Sequence, residues 1–155
     1  MVRVVRALSE GDISNVRTLF TEYASSLGFD LSFQDFEKEL AELPGEYSQA
    51  NACLLLALES ERVAGCVGII KLSQGTCEMK RLYVRPAFRG KGIGKLLATS
   101  IIREAHKMGY KKMRLDTVPS MKEAIALYRS LGFKEIQAYR YNPIEGALFM
   151  ELDLD

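Results

Sequence analysis

Residues 85–95 read Arg-Pro-Ala-Phe-Arg-Gly-Lys-Gly-Ile-Gly-Lys, between a strand-like segment that ends at Val84 and an amphipathic segment that begins at Ile93. A strand that turns through glycines directly into a helix belongs to an α/β chain. Gly90, Gly92 and Gly94 let the backbone approach a ligand closely and point amide N–H groups at it. The emerging helix adds its positive dipole end, and Arg89, Lys91 and Lys95 add charge. Arg89 to Lys95, Ile93 included, is therefore a candidate anion site, and the expected occupant is a phosphorylated ligand.

Known phosphate loops narrow the choice. A P-loop ending at Gly94-Lys95 would need glycine where Arg89 stands and Ser or Thr where Leu96 stands. The dinucleotide fingerprint would need glycine at Lys95 and an acidic residue on the next strand, which the helix from Ile93 and the segment Lys111 to Thr117 only half supply. What remains, Arg89-x-x-Gly92-x-Gly94, resembles the pyrophosphate-binding motif of the GNAT acetyltransferase superfamily. The resemblance extends to Glu78-Met79-Lys80-Arg81-Leu82-Tyr83-Val84 before the loop and to Ala124-Ile125-Ala126-Leu127-Tyr128-Arg129-Ser130-Leu131-Gly132-Phe133 after it. It covers most of residues 50–155 and implies acetyl-coenzyme A as co-substrate.

With 155 residues, one domain spanning 1–155 is expected. The 21 Lys and Arg against 20 Asp and Glu leave no global field to recruit nucleic acid or an anionic membrane, so neither is an expected partner. No apolar run approaches a membrane span, and Met1 to Arg6 reads as a charged strand rather than a signal peptide, so a cytoplasmic location is expected. Cys53, Cys66 and Cys77 are odd in number, sit in apolar strand-like stretches and show no metal-ligand spacing. They read as buried reduced thiols, and no metal site is expected. His106 is the one histidine, which leaves little room for a Ser-His or His-metal site.

Periodicity gives the element order. Residues 2–7 alternate as a strand; a helix from near Asp12 carries Ile13, Val16, Leu19, Phe20 and Tyr23; Ser32 is placed to cap a second helix holding Phe33, Phe36, Leu40 and Leu43, stopped at Pro44-Gly45. Ala52 to Leu58 and Val63 to Leu72 form a hairpin, and Gln74-Gly75 turns into the next strand. In that strand Cys77 and Met79 are apolar at odd positions, but Leu82 and Val84 at even ones. A slip of one residue in a period of two marks a β-bulge. Ile93, Leu96, Leu97, Ile101, Ala105 and Met108 make the core face of the next helix, followed by a strand at Lys111 to Thr117. Ser120-Met121-Lys122-Glu123 has the spacing of a capping box before a helix with Leu127, Tyr128 and Leu131 inward; Phe133 to Tyr139 and Ala147 to Leu154 are the last strands. The sum is an α/β fold with a mixed central sheet, flanked by about four helices. The resemblance implies that the bulge splays two parallel strands so that the pantetheine arm lies between them.

Acetyl transfer to an amine needs a held donor, a neutral amine, a partner for the developing oxyanion and a proton for the departing thiolate. The bulge offers an unpaired backbone N–H, that of Leu82, to the thioester oxygen, and the resemblance points to Leu82, Tyr83 and Val84 for that role. It also puts Tyr128 where family members carry the acid that protonates the coenzyme sulfur; packing beside Leu127 and Leu131 is the competing reading. Glu78, six residues before Val84, stands where some members hold the base that takes the amine proton, and pairing with Lys80 or Arg114 is its alternative. Met121 replaces an asparagine found in many members. By the same resemblance Ser25 to Leu31, Glu42 to Gln49 and Tyr139 to Asn142 build the acceptor pocket, where Arg140 either meets a substrate carboxylate or is solvated. A small-molecule primary amine is the leading expected acceptor, attacked without a covalent enzyme intermediate. A protein lysine or N-terminus, or a non-catalytic acyl-coenzyme A-binding module, are the alternatives, and a homodimer is an expected assembly.

Overall fold

A computed structural model describes all 155 residues. The elements are β1 (Val2–Arg6), α1 (Glu10–Ser26), α2 (Phe36–Glu42), β2 (Cys53–Glu59), β3 (Arg62–Ser73), β4 (Thr76–Val84), α3 (Ile93–Lys107), β5 (Lys112–Thr117), α4 (Lys122–Ser130), β6 (Lys134–Ile136) and β7 (Leu148–Asp153). The seven strands form one sheet in the order β1-β2-β3-β4-β5-β7-β6. Neighbours are antiparallel except β4 and β5, which run parallel because α3 crosses between them.

Alternation along β2 sends Cys53, Leu55 and Ala57 to a core under α3 and α4, and Leu54 and Leu56 to a second core under α1 and α2. Both sheet faces are therefore covered, which is why β2 reads as a continuous apolar run.

The parallel pair is short. Thr76 to Glu78 match Lys112 to Arg114, and beyond Glu78 β4 and β5 have no further register. The bulge inferred from the phase slip sits there: β3 pairs Cys66 with Tyr83 and Gly68 with Lys80, so Arg81 and Leu82 together face Val67. Arg81 takes φ 61°, a left-handed backbone that is uncommon for a side chain this large. The phase changes hands across it: Met79 belongs to the core under α3, whereas Tyr83 belongs to the core under α1.

Several boundaries differ from the sequence reading. Helix α1 starts at Glu10 rather than Asp12, because Ser9 and Asp12 form the capping box, with Asp12 N–H on Ser9 Oγ at 3.0 Å and Ser9 N–H on Asp12 Oδ2 at 3.3 Å. Ser32 caps nothing: Ser32 to Gln34 form a single 3₁₀ turn, Asp35 is left-handed at φ 53°, and α2 begins at Phe36. Ser120 does not cap α4 either. A turn closed by Met121 N–H on the Val118 carbonyl (3.0 Å) puts the N-cap position on Met121, one residue past the serine. On α3, Leu96 is exposed instead of core, since the inward stripe runs Ile93, Leu97, Ile101, Ala105 and leaves it on the flank. Strand β6 stops at Ile136 rather than Tyr139, because Tyr139 and Arg140 turn away toward Glu78.

Candidate active site

At the open end of the β4–β5 split, a cleft is lined by Met79 to Leu82 on one side, Leu115 to Thr117 on the other, and Tyr23, Gln34, Met121 and Tyr128 around them. Its existence follows from the bulge, which ends the parallel ladder and leaves the backbone at Arg81 and Leu82 outside the β3 and β5 registers.

Gly92 is the N-cap of helix α3, its φ of 78° fits glycine, and the first helical bond runs from Leu96 N–H to the Gly92 carbonyl at 3.0 Å. The N–H groups of Ile93, Gly94 and Lys95 thus begin the helix without helical acceptors. No atom lies within 4 Å of where a Cβ would stand on Gly90 or Gly92, so the loop presents bare backbone to solvent. Arg89 is exposed and folds back, Nε donating to the Val84 carbonyl at 3.0 Å. The Lys91 ammonium reaches away to Glu59 at 3.0 Å, leaving Lys95 as the unpaired cation of the first turn. Of Leu82, Tyr83 and Val84, only Leu82 lines the cleft; Tyr83 is buried on the opposite face, its hydroxyl donating to Glu22 at 3.3 Å.

Tyr128 is buried, packs against Phe133 with ring centroids 5.6 Å apart, and forms part of the cleft lining. Burial, then the nearby charges of Tyr23 and Asp116, push its phenol well above the ordinary tyrosine value. It keeps its proton across the neutral range.

The structure does not bring Glu78 to this cleft. Its side chain is 1% exposed, and Oε2 accepts from the Tyr139 hydroxyl at 2.5 Å and from Arg140. Oε1 is buried without a partner. Lys80 and Arg114, its expected partners, go elsewhere: Lys80 to Glu39 at 3.5 Å and Arg114 to Glu151 at 2.7 Å. Arg140 is correspondingly neither free for a substrate carboxylate nor merely solvated; with Tyr139 it pins the β6–β7 loop to β4. Tyr141 is exposed, and Asn142 donates to Asp116 Oδ2 at 3.1 Å.

Beneath the bulge lies a buried ionic cluster that sequence reasoning missed. Arg81 forks onto Glu39, Nε to Oε2 at 3.0 Å and Nη2 to Oε1 at 2.9 Å, and its Nη1 reaches Gln34 Oε1 at 2.7 Å. Tyr47 donates to Glu39 at 3.0 Å, and the Arg81 guanidinium lies 5.1 Å from the Phe36 ring centre. Burial alone would raise the Glu39 carboxyl, but Arg81, with help from Lys80 and Tyr47, holds it below the ordinary value. Asp116 and Tyr23 were missed as well. The available signals were an arginine sitting in the phase slip and an aspartate, the one acidic residue of its strand, near that strand's end.

Comparison with known proteins agrees with this geometry. Residues 14–133 match the Acetyltransferase (GNAT) family. An uncharacterized N-acetyltransferase of Schizosaccharomyces pombe is 39% identical over 92% of this chain and 89% of its own, and one of Escherichia coli is 33% identical over 86% and 83%. In fold, a GNAT acetyltransferase of Staphylococcus aureus superposes with a TM-score of 0.81 at 18% identity over the whole of both chains. A putative acetyltransferase of Salmonella typhimurium, solved with acetyl-CoA, gives 0.79 at 22% identity over 99% and 94%. The split sheet, the glycine loop at the head of α3 and these relatives place the chain in the GNAT acetyltransferase family, as an acetyl-CoA-dependent acyltransferase.

Proposed function

We propose that this protein is an N-acetyltransferase that moves the acetyl group of acetyl-coenzyme A to a primary amine of a small molecule by direct attack. The observation that carries the reading is that the protonated Tyr128 phenol and the out-of-register backbone at Leu82 line the same cleft.

The residues present fit the co-substrate. Gly90 and Gly92 leave open space at the head of α3 for a pyrophosphate, which meets the first-turn N–H groups of Ile93, Gly94 and Lys95 with Arg89, Lys91 and Lys95 around it. The pantetheine arm follows β4 along Leu82 to Val84, where the strand lacks a partner in β5. The Leu82 N–H faces the thioester oxygen. As the amine nitrogen bonds to the carbonyl carbon and the C–S bond breaks, Tyr128 donates its proton to the sulfur. The amine loses one proton to water on becoming neutral and a second on becoming the amide, and solvent returns one to Tyr128. Glu78 acts from behind as a positioning residue, holding Tyr139 and Arg140 and hence the loop whose Asn142 bonds the cleft's Asp116.

A small acceptor is favoured over a protein because the cleft and the recess beside it are confined, and Tyr139 and Arg140 fasten the β6–β7 loop against β4. Three buried, unpaired cysteines suit a reducing cytoplasm. The test is release of free coenzyme A from acetyl-coenzyme A over a panel of amines, beside melting curves. Millimolar acetyl-coenzyme A should raise the melting temperature by mass action. An unmoved melting curve would remove the coenzyme site, and coenzyme binding with no release on any amine would remove the activity.

A further inference from the structure

A second pocket adjoins the cleft, and the two share Tyr23, Gln34, Asp116, Thr117 and Met121. Away from the shared wall its lining is apolar but for Asn142: Leu27, Phe29, Leu31 and Phe33, supplied by the end of α1 and the connection to α2, with Val118 after β5. The polar groups at the junction are not balanced. Every arginine nearby is already held by a carboxylate: Arg81 by Glu39, Arg85 by Glu22 and Arg140 by Glu78. Lys80 also leans on Glu39. Asp116 is half-buried in both pocket walls; the hydrogen bond it accepts comes from the neutral amide of Asn142, and the Arg140 guanidinium, whose charge reaches it, makes its ion pair with Glu78 instead. It lines the same cleft as Tyr128 and Leu82, so it stands on the wall where transfer is proposed. A carboxylate with a neutral partner, between a reactive cleft and an aromatic recess, attracts a cation that carries an apolar body.

We infer that the acceptor is a primary amine with an aromatic or branched apolar body and no carboxylate, its ammonium held at Asp116 and its body in the recess of Tyr23, Leu27, Phe29, Leu31 and Phe33. The inference rests on the acetyltransferase reading and narrows it. A carboxylate on the acceptor is excluded by charge, since the one arginine of the β6–β7 loop is bound to Glu78 and Asp116 would repel it. After the ammonium loses its proton to water, the neutral nitrogen left beside Asp116 is the nucleophile. Asp116 is thus a specificity residue that brings the nitrogen to the cleft, while bond making and breaking are as described above.

The experiment compares 2-phenylethylamine, phenylalanine, ethylamine and a lysine-containing peptide as acceptors for the wild-type protein under saturating acetyl-coenzyme A. 2-Phenylethylamine is expected to exceed both phenylalanine and ethylamine at least tenfold in kcat/KM. Asp116→Asn should raise the KM for 2-phenylethylamine at least tenfold while leaving the melting shift produced by acetyl-coenzyme A unchanged. Phe29→Ala should narrow the gap between 2-phenylethylamine and ethylamine several-fold. Phenylalanine or the peptide as the better acceptor, or an Asp116→Asn enzyme with unaltered amine KM, overturns the inference and leaves the acetyltransferase reading standing. Coenzyme binding with no transfer to any of the four overturns the inference, and release of coenzyme A over the wider amine panel then decides the acetyltransferase reading separately.

Discussion

The phosphate loop and the floor of the cleft lie a few residues apart in sequence and are built in opposite ways. Residues 89–95 are short-range: bare glycine backbone at the head of α3, exposed basic side chains at Arg89, Lys91 and Lys95, and no atom near the Cβ positions of Gly90 and Gly92. The floor is long-range: Arg81 is 3% exposed and draws its partners from α2 and the turn before it, 42 residues back for Glu39 and 47 for Gln34. A loop that binds through its own N–H groups tolerates loss of a side chain and fails when one is added. A buried ionic cluster behaves the other way round, because removing one partner strands the other's charge.

The largest effect should come from the floor. Glu39→Ala leaves the Arg81 guanidinium buried without its partner, and about 3–5 kcal/mol of stability, roughly 10 °C in melting temperature, is expected to go. Replacing both partners by Glu39→Leu with Arg81→Met should cost less than Glu39→Ala alone, as a thermal denaturation series would show. Glu39 is held below the usual carboxylate value when folded, so its contribution is complete above pH ~4.3 and is lost as pH falls through the folded value. Glu39→Gln should accordingly flatten the acid side of the stability profile.

Next in size is Tyr128→Phe, which keeps the ring against Phe133 and removes the proton donor. A fall in kcat of roughly 10–10³-fold is expected, with coenzyme affinity kept. Because burial pushes the Tyr128 phenol up, its ionisation should not produce a falling limb below pH ~10. The amine kcat/KM should instead climb with pH as the neutral amine fraction grows. A falling limb near pH 8 that disappears in the Phe variant would contradict this.

The loop should respond more mildly and unequally. Gly92→Ala forces a side chain into φ 78° at the mouth of the anion site and should weaken coenzyme binding about tenfold. Gly94→Ala should be close to neutral in stability, since its Cβ would meet Val84 at an ordinary 3.7 Å and its backbone is helical. Isothermal titration with coenzyme A and a melting curve separate the two. Smallest of all, Lys91→Ala should change coenzyme affinity less than Arg89→Ala, because Glu59 already occupies the Lys91 ammonium. Both should leave kcat at saturation intact, since a contact remote from the sulfur holds ground and transition states alike.

These contrasts also mark what could be read in advance. The glycine loop, the helix it opens and the bulge were legible because each is written in contiguous residues, and the bulge shows as a phase slip between Met79 and Leu82. Helix starts at Ser32 and Ser120 were misread because serine spacing is a local preference, and the Asp35 kink and the Val118–Met121 turn overrode it. Glu78 was assigned by position along β4, yet what decides its surroundings is Tyr139 and Arg140, 61 and 62 residues further on.

The chain by itself determined the α/β order, the split in the sheet and the glycine loop at the head of α3, since period, phase and glycine placement are properties of neighbouring residues. Tertiary structure alone decided which charges were spent on one another: Arg81 on Glu39, Arg140 on Glu78, and Lys91 on Glu59, while Asp116 took a neutral amide, Asn142, as its hydrogen-bond partner. Pairing depends on which side chains meet across the sheet and on how little water reaches them, and neither distance nor burial is visible along a sequence.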